Sequence, residues 1–217
     1  MAKRYWEWEP VFLLDKRRVG LLIIDMQTGF VETGAPLEVP MAREQVPAVR
    51  RLLDCFRERG LPVFFTQFCV TDKFNYPFYW RMARQRGLNL DPPERLFWPD
   101  KPETRIIPEL SPLEAEPVIR KAGYDAFAHT GLEQILRARA ISQLVVAGTV
   151  INWCVDSTVR AAFHHSYEVM VAADAVSAYA QAGAEAETWH RMELDHFAEA
   201  FGRVATVAEI IRELSDG

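Results

Sequence analysis

The sequence predicts a single α/β domain: a central parallel sheet of six strands with helices on both faces. Short apolar runs of strand length alternate with longer segments in which apolar residues recur at helical spacing, the pattern of βαβ units. The first run, Val19–Ile24, is apolar throughout, as expected for a parallel strand covered on both faces. No linker, internal repeat or low-complexity stretch divides the 217 residues, so one domain, 1–217, accounts for the chain.

Each element follows from a local pattern. The predicted strands are Val19–Ile24, Pro62–Phe68, Pro117–Lys121, Ile141–Ala147, Glu168–Ala173 and Arg203–Ala205. The predicted helices are Arg43–Arg59, Thr130–Arg139, Trp153–His165, Ala184–Ala200 and a last helix that begins after Thr206. Gly60 ends the first helix, as glycine often does. Thr130 with Glu133, and Thr206 with Glu209, have the spacing of a capping box and so mark two helix N-termini.

The segment Cys69–Leu113 departs from this alternation. It is too long for an ordinary connection and is rich in proline and aromatic residues, among them Tyr76 and Trp80. Connections of this length are usually functional lids or disordered, and so many aromatic side chains disfavour disorder because they need a buried position. A lid over a binding site, a subunit interface and an excursion packed on the sheet edge all fit the segment.

Composition and charge exclude several classes of protein. The 25 Lys and Arg against 30 Asp and Glu give a net charge of -5, and the basic residues are scattered, so no nucleic-acid partner is expected. Three widely spaced cysteines predict neither a disulfide framework nor a cysteine zinc site. The N-terminus has no apolar signal region, and no apolar run approaches the roughly 18 residues of a membrane span. We therefore expect a cytoplasmic protein with no membrane partner.

Three chemically active residues follow predicted strands. Asp25 ends the first strand, Lys121 ends the third, and Cys154 lies just past the turn that ends the fourth. Ligands bind at the carboxyl edge of an open parallel sheet, so a carboxylate, an ammonium and a thiol are expected to meet there. A helix N-terminus and a nearby ammonium favour the thiolate, and a carboxylate can accept the thiol proton. Singly, each residue fits a buried thiol, a strand-end cap or a surface charge, so only their convergence supports catalysis.

Three ordered segments resemble the isochorismatase-like cysteine hydrolases, which include nicotinamidases, N-carbamoylsarcosine amidase and ureido-amide hydrolases. LLIIDMQTGF at Leu21–Phe30 resembles the family's first strand with its aspartate, and KAGYDAF at Lys121–Phe127 resembles its lysine segment. LVVAGTVINWCVDST at Leu144–Thr158 resembles its strand, turn and cysteine-bearing helix. The resemblance covers most of the chain and implies a six-stranded parallel sheet and a homo-oligomer.

The resemblance also assigns roles to residues. It implies a catalytic triad of Asp25, Lys121 and Cys154. It further implies a non-proline cis peptide bond between Val150 and Ile151, with the backbone N–H groups of Ile151 and Cys154 forming an oxyanion hole.

Departures from the family pattern affect metal binding and specificity. Metal-binding nicotinamidases place an aspartate and histidines after the second strand, where this chain has Gln67–Thr71, so no metal and no other cofactor is implied. Gly29 stands where the family often has aspartate, and Ile151 where it commonly has threonine. Isochorismatases that hydrolyse a vinyl ether typically lack the cysteine, so Cys154 favours amide chemistry.

We therefore expect a cofactor-free cysteine hydrolase of a small amide or ureido C–N bond, acting through a thioester. Two alternatives stay open: hydrolysis of another bond, such as a vinyl ether, and a non-catalytic binding protein on the same fold. The residues expected to contact a compact planar substrate are Phe30, Gln67, Tyr76, Trp80, Asn152 and Trp153, with packing as the alternative for the aromatic ones.

Overall fold

The computed structural model describes residues 7–70, 77–88, 90 and 95–216. Its strands are β1 (Val19–Ile24), β2 (Val63–Phe68), β3 (Val118–Lys121), β4 (Gln143–Gly148), β5 (Glu168–Val176) and β6 (Arg203–Ala205). They form one sheet in the order β3-β2-β1-β4-β5-β6, and every neighbouring pair is parallel. The predicted fold class is confirmed.

Helices cover both faces of this sheet. They are α1 (Thr28–Val31), α2 (Pro40–Glu58), α3 (Pro77–Gln85), α4 (Leu132–Ala138), α5 (Asp156–His164), α6 (Ala186–Ala200) and α7 (Val207–Asp216). Successive residues of β1 point to opposite faces, so Leu21 packs in a core with α2 and α7, and Leu22 packs in a second core with α4, α5 and α6. All six positions of β1 are therefore buried, which explains its continuous apolar run.

The ends of the elements differ modestly from the predicted ones. β5 continues to Val176, three residues further than predicted, and α2 begins three residues earlier, at Pro40. Proline is well suited to the first turn of a helix because it has no N–H to leave unpaired there. The helix predicted from Trp153 begins instead with a π-helical turn, Ile151–Val155, which leads directly into α5.

One of the two predicted capping boxes is confirmed. At the start of α7, the Thr206 N–H donates to Glu209 Oε2 at 2.8 Å, and the Glu209 N–H donates to Thr206 Oγ1 at 3.3 Å. The box at Thr130 is wrong: Glu133 pairs with Arg137, one turn further along α4, at 2.6 Å. An i,i+4 arginine competes with the helix N-terminus for this carboxylate.

The described part of the segment Cys69–Leu113 contains α3 and two short 3-10 turns, at Pro102–Thr104 and Pro108–Leu110. Phe97 is fully buried, and its ring packs on Phe30 and Phe68 at centroid separations of 4.8 and 5.5 Å. This part of the segment thus belongs to the core. Its predicted role as a lid or interface stays a prediction. Within the described residues, no helix combines the length and apolar character needed to cross a membrane.

Candidate active site

Asp25 and Lys121 meet at the carboxyl edge of the sheet. Lys121 Nζ lies 2.6 Å from Asp25 Oδ2, and both side chains are completely buried. Asp25 follows β1 and Lys121 ends β3, and β2 separates these two strands, so the ion pair crosses the end of the middle strand. Lys121 Nζ also donates to the Gly123 carbonyl oxygen at 3.0 Å, which fixes the ammonium over this edge.

The backbone and a neighbouring strand fix the orientation of Asp25. Its φ of 47° lies in the left-handed region, which aspartate tolerates better than most residues. The Asp25 N–H donates to Thr66 Oγ1 at 3.1 Å, and the Thr66 hydroxyl donates to Asp25 Oδ1 at 2.6 Å. Oδ2 accepts no hydrogen bond of good geometry from any described residue. This oxygen is thus left to Lys121 and to the thiol beside it.

Cys154 completes the cluster from the turn after β4. Its side chain is within hydrogen-bonding reach of both Asp25 and Lys121. Burial raises the pKa of the Cys154 thiol to about 12, against the opposing effect of the Lys121 charge. Burial alone would lower the pKa of Lys121, but the charge of Asp25 leads the effects that outweigh burial and raise that pKa. The expected effect of Lys121 on the thiol is present, yet the resting site holds a neutral thiol beside a charged ion pair.

The turn before Cys154 corrects two predictions. The cis peptide bond joins Thr149 and Val150, one residue earlier than the predicted bond between Val150 and Ile151. The Ile151 N–H donates to the Ser177 carbonyl oxygen at 2.6 Å, so it is not free to bind an oxyanion. The reason is the length of β5, which brings Ser177 up to the turn. No described residue accepts a hydrogen bond from the Val150 N–H, and Val150 lines the same pocket as Cys154.

A narrow, mainly aromatic pocket opens onto Cys154. Its walls are formed by Phe30, Leu37, Phe68, Tyr79, Arg86, Leu88, Tyr124, Thr149, Val150, Trp153, Cys154 and Tyr179. The ring of Trp153 lies between those of Tyr124 and Tyr179, at centroid separations of 5.8 and 5.6 Å. The cavity is small, about 30 Å³, and has room for only a few water molecules. This shape suits a thin, planar group.

Of the residues predicted to contact the substrate, some line the pocket and others do not. Phe30 and Trp153 line the pocket. Gln67 does not: its Nε2 donates to the Thr104 carbonyl oxygen at 2.6 Å, and its Oε1 accepts from Arg120 Nε at 3.1 Å. Gln67 is the fifth of the six residues of β2, and its side chain bonds along the edge of the sheet and does not enter the pocket. Gln67 therefore holds the chain around Thr104 and is not a pocket residue.

Asn152 also has a different position from the predicted one. Its Oδ1 accepts from the Tyr179 N–H at 3.2 Å, and its Nδ2 donates to the Tyr179 carbonyl oxygen at 3.3 Å. Asn152 thereby positions Tyr179, whose ring is in the pocket wall, and does not line the pocket itself. Tyr76 lies outside the described residues. Trp80 belongs to α3, and its side chain is outside the described part.

Several site residues were missed from the sequence. Gln27 is fully buried, donates from Nε2 to the carbonyl oxygens of Phe68 and Thr104 at 3.0 and 2.8 Å, and accepts from the Phe68 N–H at 2.7 Å. It thus fixes the end of β2 beside Asp25. The available signal was a glutamine two positions after Asp25, just past the carboxyl end of the first apolar run. Thr66, which holds Asp25, has no such signal because polar residues at strand ends are common.

Gly29 has a packing reason for being glycine. A Cβ at this position would lie 2.6 Å from Phe97 Cζ and 2.8 Å from Glu103 Cβ. The Phe97 ring therefore fills the space in which another residue at position 29 would place its side chain.

Among the described residues, no group of three His, Cys, Asp or Glu side chains could hold a metal ion.

Comparisons with known proteins agree with this site. Residues 19–209 match the family described as Isochorismatase domain. The chain is 27% identical over 214 residues to ureidoacrylate amidohydrolase RutB of Caulobacter segnis, covering 93% of this chain and 87% of that protein. A cysteine hydrolase from Pseudomonas syringae pv. phaseolicola 1448A, 27% identical, superposes with a TM-score of 0.85 over 94% of this chain and 96% of that one. N-carbamoylsarcosine amidase from Thermoplasma acidophilum, 24% identical, has the same fold, with a TM-score of 0.70 over 88% of this chain and 96% of that one. The protein therefore belongs to the isochorismatase family, as one of its isochorismatase-like cysteine hydrolases.

Proposed function

We propose that the protein hydrolyses a small amide or ureido C–N bond through a thioester on Cys154. The observation that carries the proposal is the buried cluster of Asp25, Lys121 and Cys154 at the base of a narrow aromatic pocket. The names of the ureidoacrylate amidohydrolase and cysteine hydrolase relatives support the same chemistry. Amide carbonyls are planar and small, which matches the pocket.

In the acylation step, Asp25 acts as the general base. Its Oδ2 takes the thiol proton as Cys154 Sγ attacks the carbonyl carbon, which is required because the resting thiol is neutral. The C–N bond then breaks, and the proton on Asp25 passes to the departing nitrogen. Lys121 keeps its positive charge throughout and stabilises the carboxylate and the developing thiolate.

The tetrahedral oxyanion needs backbone donors near Sγ. We propose that the N–H groups of Val150 and Cys154 provide them, since Ile151 already donates to Ser177. In deacylation, Asp25 accepts a proton from water as the water oxygen attacks the thioester. Cys154 Sγ leaves with that proton, and the acid, or the carbamic acid of a ureido substrate, is released.

Replacement of Cys154 tests the proposal. We expect Cys154→Ala to keep the fold and to release ammonia at least about 10³-fold more slowly, because of the three thiols only that of Cys154 lines the pocket. Ammonia release is measured on a panel of amide and ureido substrates: nicotinamide, N-carbamoyl amino acids, ureidoacrylate and biuret. Cys55→Ala is the matched control: Cys55 is a buried thiol in α2 and does not line the pocket.

The control should keep the wild-type rate on every substrate of the panel. Turnover that survives in Cys154→Ala would overturn thioester chemistry and would point to a hydrolysis without the thiol, such as that of a vinyl ether. Binding of panel compounds without turnover in the wild type would favour a non-catalytic member of the fold.

A further inference from the structure

One charged side chain lines the pocket beside its aromatic walls. Among the lining residues that the structure describes, Arg86 is the only lysine, arginine, aspartate or glutamate. It follows α3 directly, and its N–H donates to the Ala83 carbonyl oxygen at 3.0 Å. Arg86 is exposed whereas Cys154 is buried. The guanidinium therefore belongs to the solvent side of the pocket and the thiol to its base.

Arg86 is close to the nucleophile through Trp153. Its Cζ lies 4.9 Å from the centre of the Trp153 ring, and Trp153 directly precedes Cys154. Stacking on an aromatic face orients a guanidinium and leaves its N–H donors at the edge. One of the Arg86 donors is within hydrogen-bonding reach of the Tyr124 hydroxyl, which leaves further donors for a ligand. Within the described residues, no carboxylate lies within ion-pair distance of Arg86.

The phenols around Arg86 do not supply a negative charge. Burial raises the pKa of Tyr124 and of Tyr179, and the Arg86 charge only partly opposes this. Both hydroxyls are therefore neutral at physiological pH. The described pocket lining thus offers one cation and several neutral hydroxyls, and none of its described residues can be an anionic partner for the guanidinium.

We propose that Arg86 binds the carboxylate of the substrate, so that the enzyme acts on small planar amide or ureido acids in preference to neutral amides. This inference rests on the proposed function. The substrate lies along the ring of Trp153, with its scissile carbonyl at Cys154 and its carboxylate at the guanidinium. A guanidinium pairs with a carboxylate through two parallel hydrogen bonds, which fixes orientation as well as charge.

The test compares an acid with its neutral ester. Ureidoacrylate and its methyl ester have the same ureido group and differ in charge at the other end. We expect wild-type kcat/KM to favour the acid, and we expect Arg86→Gln to lower this acid-over-ester ratio by about 10- to 100-fold, mainly through KM. Arg86→Lys should regain part of the ratio because it restores the charge without the two-bond geometry.

Two further measurements separate recognition from packing. Arg81→Gln is the matched control, since Arg81 is an exposed arginine of α3, the helix that Arg86 follows, and does not line the pocket; it should leave the ratio unchanged. In a Cys154→Ala background, calorimetric titration should show weaker binding of the acid when Arg86→Gln is added.

The outcomes distinguish this inference from the proposed function. A wild type that hydrolyses acid and ester equally, or an Arg86→Gln variant that slows both equally, overturns the role of Arg86 while the thioester chemistry stands. If ammonia release from either substrate does not depend on Cys154, the proposed function itself fails. Tight, Arg86-dependent binding of the acid without hydrolysis would support Arg86 as a carboxylate-binding residue and would contradict the proposed hydrolase activity.

Discussion

At the scale of single residues, the proposed mechanism depends on a thiol that stays protonated until substrate arrives. Burial holds the pKa of Cys154 at about 12 although Lys121 opposes this effect. In that proposed mechanism Asp25 therefore removes the proton during attack, and its Oδ2 is the oxygen that Thr66 leaves without a hydrogen bond. A carboxylate with one committed and one open oxygen is suited to accept and return a proton.

The raised pKa of Cys154 predicts a pH-dependent stability. In the unfolded chain this thiol ionises near its ordinary value of 9.0, whereas in the folded protein it holds its proton to about 12. The stabilising effect is therefore complete below pH 9 and is lost as the pH rises toward 12. Between pH 8 and 10.5, the free energy of unfolding of the wild type should fall by about 1 to 2 kcal/mol more than that of Cys154→Ala.

Urea unfolding at the two pH values measures this difference. The other titrating groups are shared by the two proteins, so they cancel in the comparison. Parallel pH profiles for wild type and Cys154→Ala would show that the folded thiol ionises at its ordinary pKa.

The sequence predicted that Asp25, Lys121 and Cys154 lie together more accurately than it predicted the contacts of the residues around them. Asp25, Lys121 and Cys154 follow from one rule, because parallel strands deliver their carboxyl ends to the same edge. The roles given to Gln67 and Ile151 failed because each depends on a partner distant in the chain: the Thr104 carbonyl in one case and the Ser177 carbonyl in the other. Such partners are set by the packing of loops, which no local pattern records.

At the scale of elements, the junction of β1 and β4 places both Asp25 and the turn that bears Cys154. Gly148 ends β4 with a φ of 113°, and a Cβ there would lie 2.1 Å from the Ile24 carbonyl oxygen. Only glycine permits this approach of the two strand ends. The strands themselves were predictable from their apolar runs, but this close contact was not, because it depends on the pairing of β1 with β4.

Replacement of Gly148 should therefore destabilise the protein strongly. We expect Gly148→Ala to cost more than about 3 kcal/mol of unfolding free energy, since it adds a backbone clash to an unfavourable φ. Gly87→Ala is the matched control: Gly87 has a φ of 78° but no atom within 4 Å of an added Cβ. It should cost only about 1 kcal/mol. Urea unfolding measures both, and similar losses would mean that the strand contact contributes nothing.

At the scale of the whole molecule, the fold must stabilise a pair of opposite charges that is completely buried at the edge of the sheet. The carboxylate of Asp25 and the ammonium of Lys121 have no exposure to solvent, and they come from strands that are not neighbours. Each charge is tolerable only while the other is present. Strands β1, β2 and β3 must therefore be paired before the ion pair can form. The homo-oligomer expected from the family resemblance stays a prediction at this scale.

A double-mutant cycle tests the coupling across the sheet. Asp25→Asn and Lys121→Met should each cost about 3 to 5 kcal/mol, because each leaves a buried charge without a partner. The double variant should cost clearly less than the sum of the two. Arg137→Met provides the comparison, since its exposed pair with Glu133 should contribute less than about 1 kcal/mol. Additive losses at Asp25 and Lys121 would show that the two charges are not coupled.

The contact between Gly29 and Phe97 constrains the order in which this sequence can change. Phe97 cannot move aside for a new side chain, because its ring is held between those of Phe30 and Phe68. Gly29→Asp is thus incompatible with the present core, and because a Cβ at position 29 would also lie 2.8 Å from Glu103 Cβ, both contacts must be relieved before the change is accessible. Positions 29, 97 and 103 are therefore epistatically coupled, and any mutational or designed path toward an aspartate at position 29 must first change the packing at positions 97 and 103.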